Sequence, residues 1–308
     1  MGRKRRGQPI NGWIVLDKPA GVTSSQAVAA VRRHLDAAKA GHGGTLDPLA
    51  TGVLPVALGE ATKTVSWAME GRKLYRFTLR WGEARDTDDA QGQVVATSPV
   101  RPTAAAITAA LPAFTGTIQQ RPPDYSALKV AGERAYDLAR AGVAFDLAPR
   151  PVVVDRLALT GVPDPDHADF EALVGKGTYV RALARDLGAA LGTHAHVVAL
   201  RRHAVGRFTL ERAISLDNLA ALGHSAAALE HLLPVETALD DIPALALTEA
   251  EASALRCGRS VTPLSPFDRA RIDQFSDGAM VCATSGGRLV ALAAIEAGEI
   301  RPVRVLKV

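Results

Sequence analysis

The stretch GHGGTLDPLATGVLP, residues 41–55, places a single carboxylate, Asp47, in a segment that is almost free of charge. Glycines permit backbone conformations and close approaches that other residues cannot adopt, and Pro48 stiffens the chain directly after the acid. These residues leave two interpretations open: a carboxylate directed at a substrate, or a turn in which Asp47 caps backbone N–H groups. The segment lacks the Gly-Lys-Ser/Thr ending of a Walker loop, and His42 and Asp47 are too few ligands for a metal site.

Around this segment the hydrophobic pattern predicts an α+β fold, because strand and helix periods alternate and hairpins connect some strands. Residues 13–16 are predicted to form a buried strand, and Thr23 with Gln26 a capping box that opens a helix. Residues 73–82 alternate apolar and polar side chains, which is typical of a strand. Further strands are predicted at 53–58, 152–160, 168–174, 280–283, 289–295 and 303–308, and a hairpin at 196–210. Helices are predicted at 60–69, 103–111, 133–140, 215–233 and from 248 onward. Thr178 is predicted to cap another helix, with Val180, Leu183 and Leu187 on its core face.

Composition indicates an ordinary globular protein, with 47% hydrophobic and 22% charged residues among 308. The net charge of +4 equals the charge of the four basic residues at positions 3–6, so the rest of the chain is neutral overall. This basic N-terminal arm has two interpretations: it contacts RNA backbone, or it is a disordered, solubilising tail. A binding surface in the rest of the chain must come from local clusters, such as Arg201-Arg202-His203 with Arg207 and Arg212. Two cysteines cannot form a disulfide framework, and no signal peptide or membrane-spanning segment is predicted, so the expected location is cytoplasmic.

Five motifs in order give the chain a resemblance to a known family. They are Gly-Trp-Ile-Val-Leu-Asp-Lys-Pro-Ala-Gly-Val-Thr-Ser (12–24), His-Gly-Gly-Thr-Leu-Asp-Pro-Leu-Ala-Thr-Gly-Val-Leu-Pro (42–55), Lys-Leu-Tyr-Arg-Phe (73–77), Lys-Gly-Thr-Tyr-Val-Arg (176–181) and His-Val-Val-Ala-Leu-Arg-Arg (196–202). Together they resemble the motifs of the bacterial TruB-type tRNA pseudouridine synthases and extend over roughly residues 12–215. The second motif resembles the catalytic motif of that family.

The resemblance implies a role for individual residues. Asp47 is expected to be the nucleophile, Arg181 its ionic partner, and Tyr75 the aromatic residue that stacks on the uracil and accepts the C5 proton. Contacts to the flipped-out nucleotide are expected from His42, Tyr179, Leu200 and Asp89. Converting uridine to pseudouridine involves no redox change and consumes nothing external, so no cofactor and no metal is expected.

Taken without the resemblance, the same residues have plainer interpretations. Arg181 lies in the first turn of a predicted helix and reads as a solvated or phosphate-binding arginine. Tyr75 shares a face with Phe77 and reads as a core aromatic, and Asp89 lies in an acidic loop that reads as a solvated turn. A lone histidine such as His42 is usually structural, and Leu200 is a typical core residue.

The resemblance also implies a domain organisation and a partner. It predicts a basic N-terminal arm (1–11), a pseudouridine synthase catalytic domain (12–233) with a mixed, largely antiparallel sheet flanked by helices, and a small β-rich PUA-like RNA-binding domain (244–308). The expected partner is tRNA, with uridine-55 in the T-arm stem-loop as the target, and the expected state is a monomer.

Two other functions stay open at this stage. One is a tRNA-binding or folding factor in which catalysis is secondary, which the basic arm and the C-terminal module favour. The other is a metal-dependent hydrolase that uses His194, His196, His203 and an acid, although alternate histidines on a strand are more often incidental.

Overall fold

A computed structural model describes residues 7–263 and 265–307. The basic residues at positions 3–6, to which the sequence assigns a role in an N-terminal arm, lie outside the described residues. The strands are β1 (Gly12–Lys18), β2 (Ala40–His42), β3 (Thr51–Leu58), β4 (Lys73–Trp81), β5 (Glu83–Arg85), β6 (Val94–Thr97), β7 (Gly116–Gln120), β8 (Lys129–Val130), β9 (Glu133–Arg134), β10 (Arg150–Asp164), β11 (His167–Val174), β12 (Ala195–Val205), β13 (Phe208–Thr209), β14 (Ile214–Ser215), β15 (Ala244–Ala246), β16 (Met280–Ser285), β17 (Arg288–Glu296) and β18 (Glu299–Val305).

Helices cover the faces of the sheets and connect their strands. They are α1 (Ser24–His34), α2 (Val65–Glu70), α3 (Ala104–Ala110), α4 (Ala135–Arg140), α5 (Val180–Ala190), α6 (Leu216–Leu222), α7 (Ala226–Leu229), α8 (Glu249–Arg256) and α9 (Pro266–Asp273), with 3-10 turns at Gly59–Lys63, Leu111–Phe114, Leu210–Arg212 and Val235–Leu239. No helix in the described part of the chain is long and apolar enough to cross a membrane.

The large sheet has the strand order β14-β1-β3-β12-β4-β11-β10-β7, with β2 on β3 and β13 on β12. Its pairs are antiparallel except β1 with β14 and β3 with β12, so the predicted mixed, largely antiparallel sheet is confirmed. Both faces are covered by apolar side chains. Along β1, Ile14 and Leu16 enter one core cluster, and Trp13 and Val15 enter the other, on the opposite face.

The second sheet, β15-β16-β17-β18, has its own core and also packs on the first. Its residues Cys282, Leu289 and Leu292 share an apolar cluster with Trp13 and Val53 of the large sheet. A hydrogen bond from Lys63 Nζ to the carbonyl of Val305, 2.8 Å long, ties the two parts together at the rim. A separate β-rich C-terminal unit is therefore present, consistent with the PUA-like fold predicted for it.

Several local predictions are confirmed and some are wrong. The capping box of Thr23 and Gln26 is present at the start of α1, and a second capping box opens α8. Thr178 does not cap α5, because Tyr179 is the N-cap residue, without a capping side chain, and Thr178 Oγ1 instead lies 3.4 Å from the carbonyl oxygen of Val153. The predicted helix 60–69 begins as a 3-10 turn, the helix 215–233 divides into α6 and α7, and α9 was not predicted.

Gly52 shows how tightly the Asp47 segment is fitted into the sheet. Its φ is +99°, and a Cβ at this position would lie 2.2 Å from the backbone oxygen of Arg202. Gly116 has a similar φ of +92°, but among the described residues nothing apart from its chain neighbours lies within 4 Å of such a Cβ. Only glycine adopts this φ without strain, so the backbone favours glycine at both positions. At position 52 the absence of a side chain is also needed, because β3 and β12 lie too close together for a Cβ atom.

We expect Gly52→Ala to destabilise the protein by several kcal/mol and Gly116→Ala by about 1–3 kcal/mol, the usual cost of a side chain in a strained backbone region. The extra loss at Gly52 comes from the overlap with Arg202, which forces β3 and β12 apart. Urea unfolding of the two variants measures the difference directly. Equal losses of unfolding free energy would show that backbone strain, rather than strand contact, explains the glycine at position 52.

Candidate active site

The loop after β2 carries Asp47, whose side chain is 33% exposed. The loop is fastened from below by two buried side chains. Ser24 Oγ donates to the carbonyl of Leu46 and accepts the N–H of the same residue, at 3.0 and 2.8 Å. Lys18 Nζ donates to the carbonyls of Pro19 and Val22, and lies 3.4 Å from that of Pro48.

Lys18 is completely buried, as its position under the loop requires. Burial lowers the pKa of its ammonium group to about 8, although the carboxylate of Asp47 raises it and the guanidinium of Arg202 lowers it further. The contribution of Asp47 to this pKa shows that the two charges interact, and burial of the lysine reduces the screening of that interaction by water.

Arg181 pairs with Asp47 in the bidentate geometry that arginine and carboxylate favour. Its Nε donates to Asp47 Oδ2 at 2.8 Å, and its Nη2 to Asp47 Oδ1 at 3.1 Å. The guanidinium is only 5% exposed, so the interpretation as a solvated arginine is wrong. Burial lowers the pKa of Arg181, but the charge and hydrogen bond of Asp47, together with the charges of Asp89 and Asp88, raise it more, so the net direction is upward.

The remaining donors of Arg181 bring two distant segments to the same point. Nη1 donates to the carbonyl of Thr87 and Nη2 to the carbonyl of Tyr125, both at 2.9 Å. Asp89 Oδ2 lies 3.7 Å from Arg181 Nε. Asp89 is 4% exposed and accepts from Thr87 Oγ1 and the backbone N–H of Gln91, so its interpretation as a solvated turn is wrong.

Tyr75 reaches the site from β4, with its side chain 9% exposed. Its hydroxyl lies 3.5 Å from Arg202 Nη1, at the outer limit of a hydrogen bond. Tyr75 belongs to the core cluster with Phe77 and Leu79, as its alternating pattern predicted. Its hydroxyl nevertheless lies beside Arg202, whose guanidinium also binds the carbonyls of Gly44 and Thr45 in the Asp47 loop.

The other residues expected to contact substrate do not take part in the Asp47–Arg181 pair. Among the described residues, no hydrogen bond or ion pair connects His42, Leu200 or Tyr179 to Asp47. Burial, followed by the charge of Arg202, lowers the pKa of His42, so its imidazole is neutral at pH 7. Leu200, 8% exposed, lies opposite Phe77, and the ring of Tyr179 lies 5.5 Å from the guanidinium carbon of Arg150.

Sequence reasoning missed two residues of this network and misplaced a third. Asp88 and Arg185 form an ion pair of 3.1 Å beside Asp89 and Arg181. The signal was available, because arginines four residues apart lie on one face of a helix and can meet two adjacent acids. Arg202, predicted to contribute to an exposed basic cluster, is 1% exposed and points into the loop, so that prediction is wrong.

The predicted alternative of a histidine-based metal site gains no support. His196 is fully buried, with Nδ1 3.0 Å from the carbonyl of Glu83. In residues 7–263 and 265–307 no three His, Cys, Asp or Glu side chains converge on one point as metal ligands do.

Asp88 gives the site a pH-dependent contribution to stability. Burial raises its pKa from 3.8 to about 6, more than the guanidinium groups of Arg185 and Arg181 lower it. Between these two pH values the folded state binds a proton that the unfolded state has lost, so the free energy of unfolding falls as the pH rises from about 4 to about 6. The size of this effect is about 3 kcal/mol at most.

We therefore expect Asp88→Asn to gain stability relative to the wild type as the pH rises through this window. Asparagine resembles the protonated acid and tolerates the φ of +59° at this position. Urea unfolding at pH 4, 5, 6 and 7 gives the difference at each pH, and Asp124→Asn, at an acid 43% exposed, serves as the control. A difference that stays constant with pH would contradict the raised pKa.

Comparisons with known proteins agree with this fold. The family model described as TruB family pseudouridylate synthase (N terminal domain) matches residues 32–180, and that described as tRNA pseudouridylate synthase B C-terminal domain matches residues 181–240. A relative named tRNA pseudouridine synthase B from Rhodospirillum rubrum is 57% identical, over 99% of each chain. One of the same name from Gluconacetobacter diazotrophicus is 56% identical, over 99% of this chain and 100% of its own length.

Among solved structures, a chain of a Cbf5-Nop10-Gar1 complex is 27% identical with a TM-score of 0.72, covering 96% of this chain and 84% of that one. A chain of an H/ACA RNP bound to a substrate RNA containing 2'-deoxyuridine is 23% identical with a TM-score of 0.73, covering 100% of this chain and 92% of that one, and shows the same fold. The mixed sheet, with the arginine-paired Asp47 and these matches, is that of an enzyme of the pseudouridine synthase class. Within that class, the chain belongs to the TruB family of pseudouridylate synthases.

Proposed function

We propose that this enzyme isomerises uridine-55 in the T-arm loop of tRNA to pseudouridine, with Asp47 as the nucleophile. The observation that carries the proposal is the bidentate contact of the partly exposed Asp47 carboxylate with the buried Arg181 guanidinium. A buried guanidinium in bidentate contact fixes the orientation of a carboxylate when substrate displaces the surrounding water. The relatives that share more than half of their residues with this chain are named for tRNA, which supports tRNA as the substrate.

The reaction breaks the N1–C1′ bond, rotates the uracil and joins C5 to C1′; the C5 proton leaves and N1 ends protonated. Asp47 would form a covalent intermediate that divides one difficult step into easier ones. Attack at C6 of the base and attack at C1′ of the sugar are both open to this carboxylate. In either case Arg181 aligns Asp47, and Tyr75 stacks on the uracil and accepts the C5 proton.

The uridine must leave its stack before it reaches Asp47. Extruding a base costs a few kcal/mol, which contacts in the pocket offset, and the cost is smallest in a single-stranded loop. His42, Tyr179, Leu200 and Asp89 are proposed to contact the flipped nucleotide. Their neutral imidazole, aromatic, aliphatic and carboxylate side chains suit a stacked base with hydrogen-bonding edges.

We also propose that residues 244–308 form an RNA-binding domain next to the catalytic domain, residues 12–233. Exposed arginines at 259, 288 and 304 have no carboxylate within 4 Å in the described part of the chain, so they are available for phosphate groups. The enzyme is proposed to act as a monomer, because one chain supplies Asp47, Arg181 and Tyr75. Its proposed location is the cytoplasm, where tRNA is matured.

The test uses an unmodified tRNA transcript with tritium at C5 of its uridines. Formation of the C5–C1′ bond must release that tritium, whereas binding or cleavage need not. Incubation with pure enzyme should release one tritium per tRNA, and a transcript with cytidine in place of uridine-55 should release none. No release from the first transcript, or equal release from both, would overturn the proposed reaction or its proposed position.

A further inference from the structure

We propose that Arg202 is a positioning residue of this reaction: its guanidinium holds the Asp47 loop on both sides of the nucleophile. The inference rests on the proposed role of Asp47. Arg202 lies on β12, between Gly52 of β3 and Tyr75 of β4 in register. Side chains at paired positions of neighbouring strands project from the same face of a sheet, so Arg202 and Tyr75 extend toward the loop together.

The contacts of Arg202 converge on the segment that carries Asp47. Nε donates to the carbonyl of Val53 on β3 at 2.8 Å, six residues after Asp47. Nη2 donates to the carbonyl of Gly44 at 3.0 Å and Nη1 to that of Thr45 at 3.2 Å, both before the acid. One rigid, planar group thus connects the two ends of the loop and fixes their separation.

The environment of Arg202 is unusual for a buried cation. It is 1% exposed, and no carboxylate oxygen lies within 4 Å of its guanidinium among the residues that the structure describes. Burying a charge without a counter-ion is costly, and an apolar residue of similar volume is often no worse for stability. An arginine at this position is therefore better explained by the loop geometry that it imposes than by the stability of the fold.

Geometry of this kind matters because catalysis depends on the placement of the nucleophile within fractions of an ångström. A displacement of about 1 Å, caused by a change away from the reacting atoms, can lower a rate on the order of 10²-fold. Lysine at position 202 would keep the charge but reach at most one side of the loop, because its ammonium group is a point charge and not a fork.

The experiment compares Arg202→Lys with Arg76→Lys, a control on β4 whose side chain is 63% exposed and pairs with Glu171. Melting temperature, KM for a tRNA transcript and the single-turnover rate of tritium release are measured for both. We expect Arg202→Lys to melt near the wild type, to keep KM within about twofold, and to lose on the order of 10–100-fold in single-turnover rate. Arg76→Lys should match the wild type in all three.

Three results would overturn the positioning role. A folded Arg202→Lys with a normal single-turnover rate would show that the loop does not need the guanidinium. A rise in KM at constant rate would make Arg202 a contributor to RNA binding. Loss of folding in both Arg202→Lys and the apolar Arg202→Met, with Arg76→Lys folded, would make it a residue of the fold alone. Asp47→Asn is measured alongside: turnover in that variant would refute the proposed nucleophile whatever Arg202 does.

Discussion

Asp47→Asn is expected to abolish pseudouridine formation, with a loss on the order of 10⁴-fold or more in the rate of tritium release. The amide cannot act as a nucleophile, although it fills the same space and still accepts a hydrogen bond from Arg181. Binding of tRNA should stay within a few-fold of the wild type, because the remaining contacts to the nucleotide and to the phosphate backbone are intact. Release of tritium and binding of a labelled transcript are the two measurements.

A matched control for this variant is Asp17→Asn, which alters a carboxylate 33% exposed that pairs with Arg201. Both substitutions remove one negative charge at an aspartate 33% exposed that pairs with an arginine, and they differ in the place of the aspartate, on the loop after β2 or on strand β1, and in the burial of its partner. Asp17→Asn should turn over at close to the normal rate. Residual turnover near the wild-type level in Asp47→Asn would remove Asp47 as the nucleophile and require a different group for covalent attack.

Arg181→Met is expected to reduce both activity and stability. Loss of the guanidinium leaves the buried carboxylate of Asp89 without this counter-ion. It also removes the hydrogen-bond donor to the carbonyls of Thr87 and Tyr125. Breaking a buried ion pair from one side costs about 3–5 kcal/mol, and loss of an aligned cation beside a reacting carboxylate costs on the order of 10²–10³-fold in rate. Urea unfolding and tritium release measure the two effects separately.

Two further variants make this prediction specific to Arg181. Arg181→Lys keeps the charge but not the bidentate contact, so its losses should be smaller than those of Arg181→Met. Arg185→Met removes the neighbouring arginine one helical turn later, whose side chain is 28% exposed, and should cost clearly less stability. If Arg181→Met and Arg185→Met were equivalent in rate, the pairing with Asp47 would have no special part in catalysis.

The core of the sheet was predictable because its signal is local. The alternation of Tyr75, Phe77, Leu79 and Trp81 gives one buried face of β4, and Thr23 with Gln26 marks the start of α1 by neighbouring hydrogen bonds. Predictions failed where a local signal competed with a tertiary contact. Thr178 has the side chain of a helix cap, but its hydroxyl is instead close to the carbonyl of Val153 on another strand.

The site was predictable through its motifs and much less through its chemistry. The residue types alone favoured a solvated Arg181 and a solvated Asp89, because charged residues in a first helical turn and in an acidic loop are usually exposed. Burial reversed both interpretations. More than ninety residues separate Asp88 from Arg181 and Arg185. The ion pair of Asp88 with Arg185 therefore follows only from the strand order, which brings β12 and α5 beside the loop after β5.

By itself, the sequence determined the class of fold, the motif around Asp47 and the family whose motifs it resembles, because strand alternation, helix caps and short motifs are properties of neighbouring residues. The tertiary structure alone decided which charges lose water. It buried Arg181 and Asp89, buried Arg202 beneath the loop with no carboxylate within 4 Å in the described part of the chain, and raised the pKa of Asp88 to about 6. Desolvation depends on every element packed around a group, and that information is distributed over the whole chain.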